Sequence, residues 1–160
     1  MRKEKLTGNF VKELMGLQIL DFICGQKDRH MANYFIASNE EGKAVSVNGI
    51  DNNLAFGIYS KDEINDPRRL YSYMCRMIGD GGELLLEHMD AELAGQILAM
   101  RPEFIQQQLA GLVAPEEATA CWERVQLLQT GIQKKMKAKK KDFLLKTDQQ
   151  WRSEERRVGK

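Results

Sequence analysis

The sequence predicts a mainly α-helical chain broken by one small β-hairpin, an α+β arrangement, and three features predict it. Residues 9–24 are apolar around nearly the whole circumference of a helix, the mark of a helix buried inside a domain. Two short runs rich in aromatic and β-branched residues, 33–38 and 43–50, flank the turn-forming Asn39-Glu40-Glu41-Gly42, the pattern of paired strands. From Pro115 to about Lys137, apolar residues recur at helical spacing.

Taken in order, Asn9 suits the N-cap of the first helix, and Gly25 follows Cys24 as a glycine commonly follows a helix end. If Ser38 pairs with Lys43, paired positions sum to 81 and Asn33 faces Asn48. Asp51 then falls opposite His30, so the hairpin returns it to the loop at 28–33. A one-residue slip would turn the second strand's side chains to the other face. Leu54-Ala55-Phe56-Gly57 closes this unit. Ile58 to Leu70 is polar, contains Asp66-Pro67-Arg68-Arg69, and reads as a long loop. Helices are expected at 70–78, 82–88, 91–100, 102–112 and 115–137, with a break at Gly79-Asp80-Gly81-Gly82. Pro115 fits a first helical position, and Glu116 and Glu117 suit the positive end of the helix dipole. No internal repeat is visible.

At 160 residues the chain has room for one domain with its own core. Apolar residues at 42% and charged residues at 29% are those of a folded, not a disordered, chain. No apolar run is long enough to span a membrane, and the N-terminus lacks the apolar core of a signal peptide. With Met1 near the true start, this points to the cytoplasm. Cys24, Cys75 and Cys121 form no metal-ligand spacing with His30 or His88 and read as small buried residues. Trp122 falls on the apolar stripe of the last helix and reads as core, whereas His88 reads as a surface helix residue. The final nine residues, Arg152 to Lys160, look like a translated DNA-sequencing adapter, a non-native tail on a domain spanning 1–151. Without its four basic and two acidic residues, 20 basic and 21 acidic residues remain, a net −1 in place of +1. No global charge then favours nucleic acid. Six lysines lie within 134–141; the simplest reading is a solvated helix C-terminus, where cations suit the dipole. Arg68 and Arg69 read as surface charge.

The chemistry lies in Asp28-Arg29-His30-Met31-Ala32-Asn33 and in Ile50-Asp51-Asn52. Phosphoryl transfer from a nucleotide needs one carboxylate to take the hydroxyl proton, and an amide oxygen and a second carboxylate to hold magnesium. Asp28, Asn33 and Asp51 supply that set. Arg29 is suited to pair with a neighbouring carboxylate or a phosphate, and His30 to contact Asp51 or the transferring phosphoryl group.

The stretches 25–33 and 49–57 resemble the catalytic and metal-binding loops of atypical kinases: the phosphatidylinositol 3- and 4-kinases, the HipA-type bacterial kinases and the secretory-pathway casein kinases. These share a D-R-H-x-x-N-like loop and an I-D-containing segment in place of H-R-D and D-F-G. The resemblance covers about residues 20–57. It implies the C-terminal lobe of a kinase-like fold, with Asp28 as catalytic base, Arg29 and His30 beside it, and Asn33 and Asp51 as ligands of Mg2+ or Mn2+. It also implies ATP as cofactor and a hydroxyl-bearing acceptor. Asn52 replaces the phenylalanine of D-F-G, and no G-x-G-x-x-G or strand-borne V-A-I-K lysine is present. Only eight residues precede the first helix. The expectation is therefore a fragment without its N-terminal lobe, nearly inactive alone, as measured by nucleotide hydrolysis and phosphate transfer. No apolar insertion element lies in 58–70, which favours a protein or small-molecule acceptor over a lipid. The alternatives are a non-catalytic pseudokinase or helical binding module, and nucleotidyl (AMP) transfer on the same fold.

Overall fold

The structure, a computed structural model, describes residues 8–58, 77–79, 83–138 and 143–145. The chain runs as α1 (Gly8–Cys24), β1 (Tyr34–Ser38), β2 (Ala44–Gly49), β3 (Met89–Asp90), α2 (Ala91–Ala99), α3 (Pro102–Leu109), α4 (Pro115–Lys137) and β4 (Leu144–Leu145). β1 and β2 form a two-stranded antiparallel sheet, and β3 pairs with β4 in parallel. This is the mainly helical chain with a small hairpin that the sequence predicts. Among the described residues no helix is long and apolar enough to cross a membrane.

The first helix is apolar all round because three sets of neighbours surround it. Met15, Ile19 and Phe22 enter the main core beside Ile97 of α2 and Leu128 and Ile132 of α4. Phe10, Leu14 and Leu17 lie under Ala44 and Val47 of β2. Ile23 meets a third cluster built on Ile105, Cys121 and Val125, with Trp122 half-buried at its edge. Leu20 is the exception, at 54% exposed. Each fully buried side chain of this size stabilises the fold by roughly 1.5–3 kcal/mol.

Asn9 does not cap α1; it lies inside the helix. Its Nδ2 donates to Glu13 Oε1 (3.0 Å) and to the Val45 carbonyl (3.1 Å), while Glu13 Oε2 accepts the Val47 N–H (3.1 Å). Two side chains one helical turn apart thus bond the outer edge of β2 as a neighbouring strand would.

The hairpin forms where expected, with a different register. Tyr34 pairs with Gly49 and Ala37 with Ser46, two residues from the expected pairing. Two one-residue effects add. The turn closes on Asn39 and Lys43 around a three-residue loop, with Gly42 at φ 71°, and Asn39 Oδ1 accepts the Glu41 and Lys43 N–H groups. A bulge then shifts the pairing between Ala37 and Ser38. From Tyr34 to Ala37 the shift is even and keeps facing side chains on one side of the sheet; across the bulge Ala44 and Val47, three residues apart, both point into the core.

The stretch before α2 departs from expectation. Met77–Gly79 and Glu83–His88 are not helical: Ile78 bridges Leu84 antiparallel, Gly79 N–H donates to Glu83 O (2.8 Å) and Leu85 N–H to Met77 O (2.8 Å). Short apolar runs do not distinguish strand from buried helix by periodicity. His88 is accordingly a half-buried residue of an extended segment and not of a surface helix. α3 stops at Leu109 instead of 112, because Gly111 turns left-handed (φ 73°) and the amides of Leu112 and Val113 both return to Leu109 O. α4 has the predicted bounds, and Glu117 Oε2 accepts the Ala114 N–H (2.8 Å) at its start. At its other end Lys134 and Lys137 are exposed, while Lys135 donates to the Leu86 carbonyl and lies 5.4 Å from the Phe143 ring centre. The expected 59–70 loop, the 70–76 part of the expected helix, Cys75, Arg68, Arg69, Lys139–Lys141 and the 152–160 tail lie outside the described residues.

Asp90 joins α1 to α2. Its Oδ1 caps α2 by accepting the Leu93 N–H (3.0 Å), and its Oδ2 pairs with Lys12 Nζ (3.0 Å). Burial pushes its carboxyl up, but the Leu93 N–H, Lys12 and the Glu92 N–H outweigh that and hold it below the ordinary 3.8. A depressed carboxyl stabilises the fold above its unfolded value and loses that contribution as pH falls through the folded value. Asp90→Ala is therefore expected to cost about 0.5–2 kcal/mol near neutral pH. In urea unfolding across a pH series, the gap from wild type should close below about pH 4; a pH-independent gap would contradict the assignment.

Candidate active site

The site is built on the end of α1. A helix leaves its last four carbonyls without internal partners, and here each finds one elsewhere. Gly25, at φ 66°, donates to Phe22 O (3.2 Å), and Gln26 N–H returns to Asp21 O (2.8 Å), a Schellman turn. Ile23 O accepts Arg124 Nε from α4 (2.8 Å), and Cys24 O accepts the Phe56 N–H (2.6 Å). Arg124 is buried, with its charge at the negative end of the helix dipole. A Cβ on Gly25 would stand 3.1 Å from that guanidinium, so the position needs glycine for space as well as for its backbone angle. Burial pushes the Cys24 thiol up to about 12, with Cys121 adding to the shift. Cys24 is thus a neutral thiol near pH 7, not a thiolate nucleophile.

Arg29 ties three segments together. Only 2% exposed, it makes a two-point bond to Asp21 on α1 (Nε–Oδ2 2.9 Å, Nη2–Oδ1 2.8 Å). Nη1 donates to the Asn33 and Ile50 carbonyls (2.6 and 2.5 Å), and Nη2 to Asn52 Oδ1 (2.6 Å). Gly49 makes this possible: a Cβ there would come within 2.9 Å of both the guanidinium and Leu17. Of the two partners open to it, a carboxylate or a phosphate, Arg29 takes the carboxylate. Expected beside the base as a catalytic group, it is instead enclosed and serves to hold the loop. Burial pushes the Asp21 carboxyl up, and Arg29 opposes this with its hydrogen bonds and charge.

Around this anchor the expected site residues gather unevenly. Asn33 is buried, and its Nδ2 donates to the Asp28 carbonyl (2.7 Å) and lies 3.5 Å from Asp28 Oδ2. That commits the amide nitrogen and leaves Oδ1 as the atom able to meet a cation. Asp28 is partly open, with its side chain 21% exposed. His30 stands 3.8 Å from Asp28 Oδ2, not beside Asp51, and its Nδ1 accepts the Ala32 N–H (3.2 Å). The Ile50 N–H donates to Asn33 O (2.9 Å), which brings the chain to Asp51 one residue later. Asp51 is exposed and takes a left-handed backbone, φ 52°, which aspartate tolerates better than most residues. Gln26 links the two stretches: its Oε1 accepts the Asp28 N–H (3.1 Å) and its Nε2 donates to the Asp51 carbonyl (3.0 Å).

The oxygen donors at this edge are two carboxylates and one amide. They are hard ligands of the kind magnesium takes, with water and phosphate completing its shell. Among the described residues no three His, Cys, Asp or Glu side chains converge into an all-protein metal cage. Sequence reasoning passed over Asp21, Gln26 and Arg124. Two carried a usable signal, an acid inside the apolar α1 and an arginine within the apolar stripe of α4. No family model matches the chain, and no curated protein or solved structure matches it either.

Proposed function

We propose that this chain carries the base-and-metal half of an atypical kinase centre, which transfers the γ-phosphoryl group of ATP to a hydroxyl on a protein or small molecule. The observation that carries this reading is the junction of Asn33 with Asp28, and of both with the Asp51 segment, at the end of a buried helix. In the proposed step the Asp28 carboxylate takes the acceptor's proton. The acceptor oxygen bonds to the γ-phosphorus as the bond to the β–γ bridging oxygen breaks, and ADP leaves. Asn33 Oδ1 and Asp51 would hold Mg2+, which neutralises phosphate charge when bound. His30, half open beside Asp28, would meet the same phosphates.

The test is transfer of label to hydroxyl acceptors by the full-length natural polypeptide, with ATP labelled at the γ or the α phosphorus. Magnesium-dependent transfer of γ label is the expected result. Transfer of α label would assign AMP transfer on the same site. Absence of both, with no nucleotide-dependent thermal stabilisation, would leave a non-catalytic binding module.

A further inference from the structure

We propose that Gln26 is a positioning residue of this site, whose single side-chain amide fixes Asp28 and Asp51 relative to one another. The proposal rests on reading Asp28, Asn33 and Asp51 as a metal-and-base set. A glutamine only 1% exposed is costly to bury unless its amide is bonded. Here the two ends of that amide reach the two different stretches that carry the carboxylates: Oε1 takes the Asp28 N–H and Nε2 bonds the Asp51 carbonyl. The planar amide acts as a spacer, because its oxygen and nitrogen stand a fixed distance apart and each is bonded to a different stretch.

The Asp51 end is where such a spacer matters most. Asp51 sits at φ 52°, a sparsely populated backbone region that aspartate tolerates but that neighbouring contacts help to hold. Arg29 holds the residues on either side, through the Ile50 carbonyl and the Asn52 side chain. Gln26 holds the residue between them. Without it, the Asp51 carbonyl loses this bond, and the segment is held against the Asp28 loop only through the neighbours Ile50 and Asn52. Groups that orient metal ligands without touching the metal typically matter about 10- to 100-fold in affinity.

The experiment uses the whole chain and Mn2+ as the probe. Mn2+ is titrated into isotope-labelled protein, and paramagnetic broadening is read at the Asp28, Asn33 and Asp51 resonances. Wild type is expected to broaden locally at these residues. Gln26→Met keeps the volume and removes both hydrogen bonds; it should weaken local Mn2+ binding by about tenfold or more while the spectrum stays dispersed. Gln26→Asn keeps the amide but is too short to reach both partners, and decides the matter if the Met variant does not fold. Wild-type Mn2+ affinity in either folded variant overturns the role of Gln26 and leaves the metal reading intact. Absence of local broadening in wild type overturns the metal reading, and Gln26's role with it. A purely structural glutamine would shift the melting temperature without changing Mn2+ affinity.

Discussion

On the proposed kinase reading, Asp28→Ala in the full-length polypeptide is expected to slow phosphoryl transfer by about 10²–10⁴-fold, the contribution of a positioned general base, and Asp51→Ala to abolish it. The two should differ in their magnesium dependence. Asp51→Ala removes the proposed carboxylate ligand, so any residual rate should need far more magnesium, whereas Asp28→Ala should leave the magnesium midpoint nearly unchanged. Asp28→Ala should disturb the fold by no more than about 0.5 kcal/mol, and Asp51→Ala by about 1 kcal/mol, because alanine tolerates the left-handed backbone at φ 52° less well than aspartate does. Asp51 is exposed, and the Asp28 carboxylate has only a 3.8 Å approach from His30 and a long contact with Asn33. Initial rates across a magnesium series, with circular dichroism as the folding control, check both points. Retained transfer in either variant removes that residue from the chemistry.

Arg29→Met is expected to cost about 3–5 kcal/mol of folding stability, the usual result of breaking a buried ion pair from one side. Asp21 would be left buried without its counter-charge, and the Asn33 and Ile50 carbonyls would each lose a donor. A small domain holds only about 5–15 kcal/mol in total, so the loss approaches or exceeds half of a modest reserve. Arg29→Lys should recover little, since an ammonium cannot make the forked bond to Asp21 while also reaching Asn33, Ile50 and Asn52. Urea unfolding of the three proteins is the measurement. A change below about 1 kcal/mol in the Met variant would mean that Arg29 is not the anchor and would favour a phosphate as its partner.

What the sequence revealed, and what it did not, follows from how far each signal reaches along the chain. The first helix, the Asn39–Gly42 turn and α4 are long or sharply punctuated, and their bounds were legible to within a residue or two. The return of the second strand to the 28–33 loop was legible as well, though Asp51 was expected opposite His30 and it is Ile50 that bonds Asn33. The hairpin's register was not, since the bulge beside Ser38 is a backbone event with no side-chain signature. The extended segments at 77–79 and 83–88 were misread as helices because their apolar runs are too short to show a period. In the site, the residues of the D-R-H-x-x-N pattern could be named, but their supports could not. Arg124 and the Ile23 carbonyl it bonds are 101 positions apart, and no local pattern reports such a pair.

The four partnered carbonyls at the end of α1 have a thermodynamic consequence for whatever binds nearby. Holding one residue's backbone still costs roughly 1–2 kcal/mol of conformational entropy. For Gly25 to Asn33 that cost is met during folding, through Asp21, Arg124, Phe56 and Arg29. A ligand arriving at Asp28 and Asn33 therefore meets a surface that has little disorder left to lose, and its contacts need not be spent on ordering the loop.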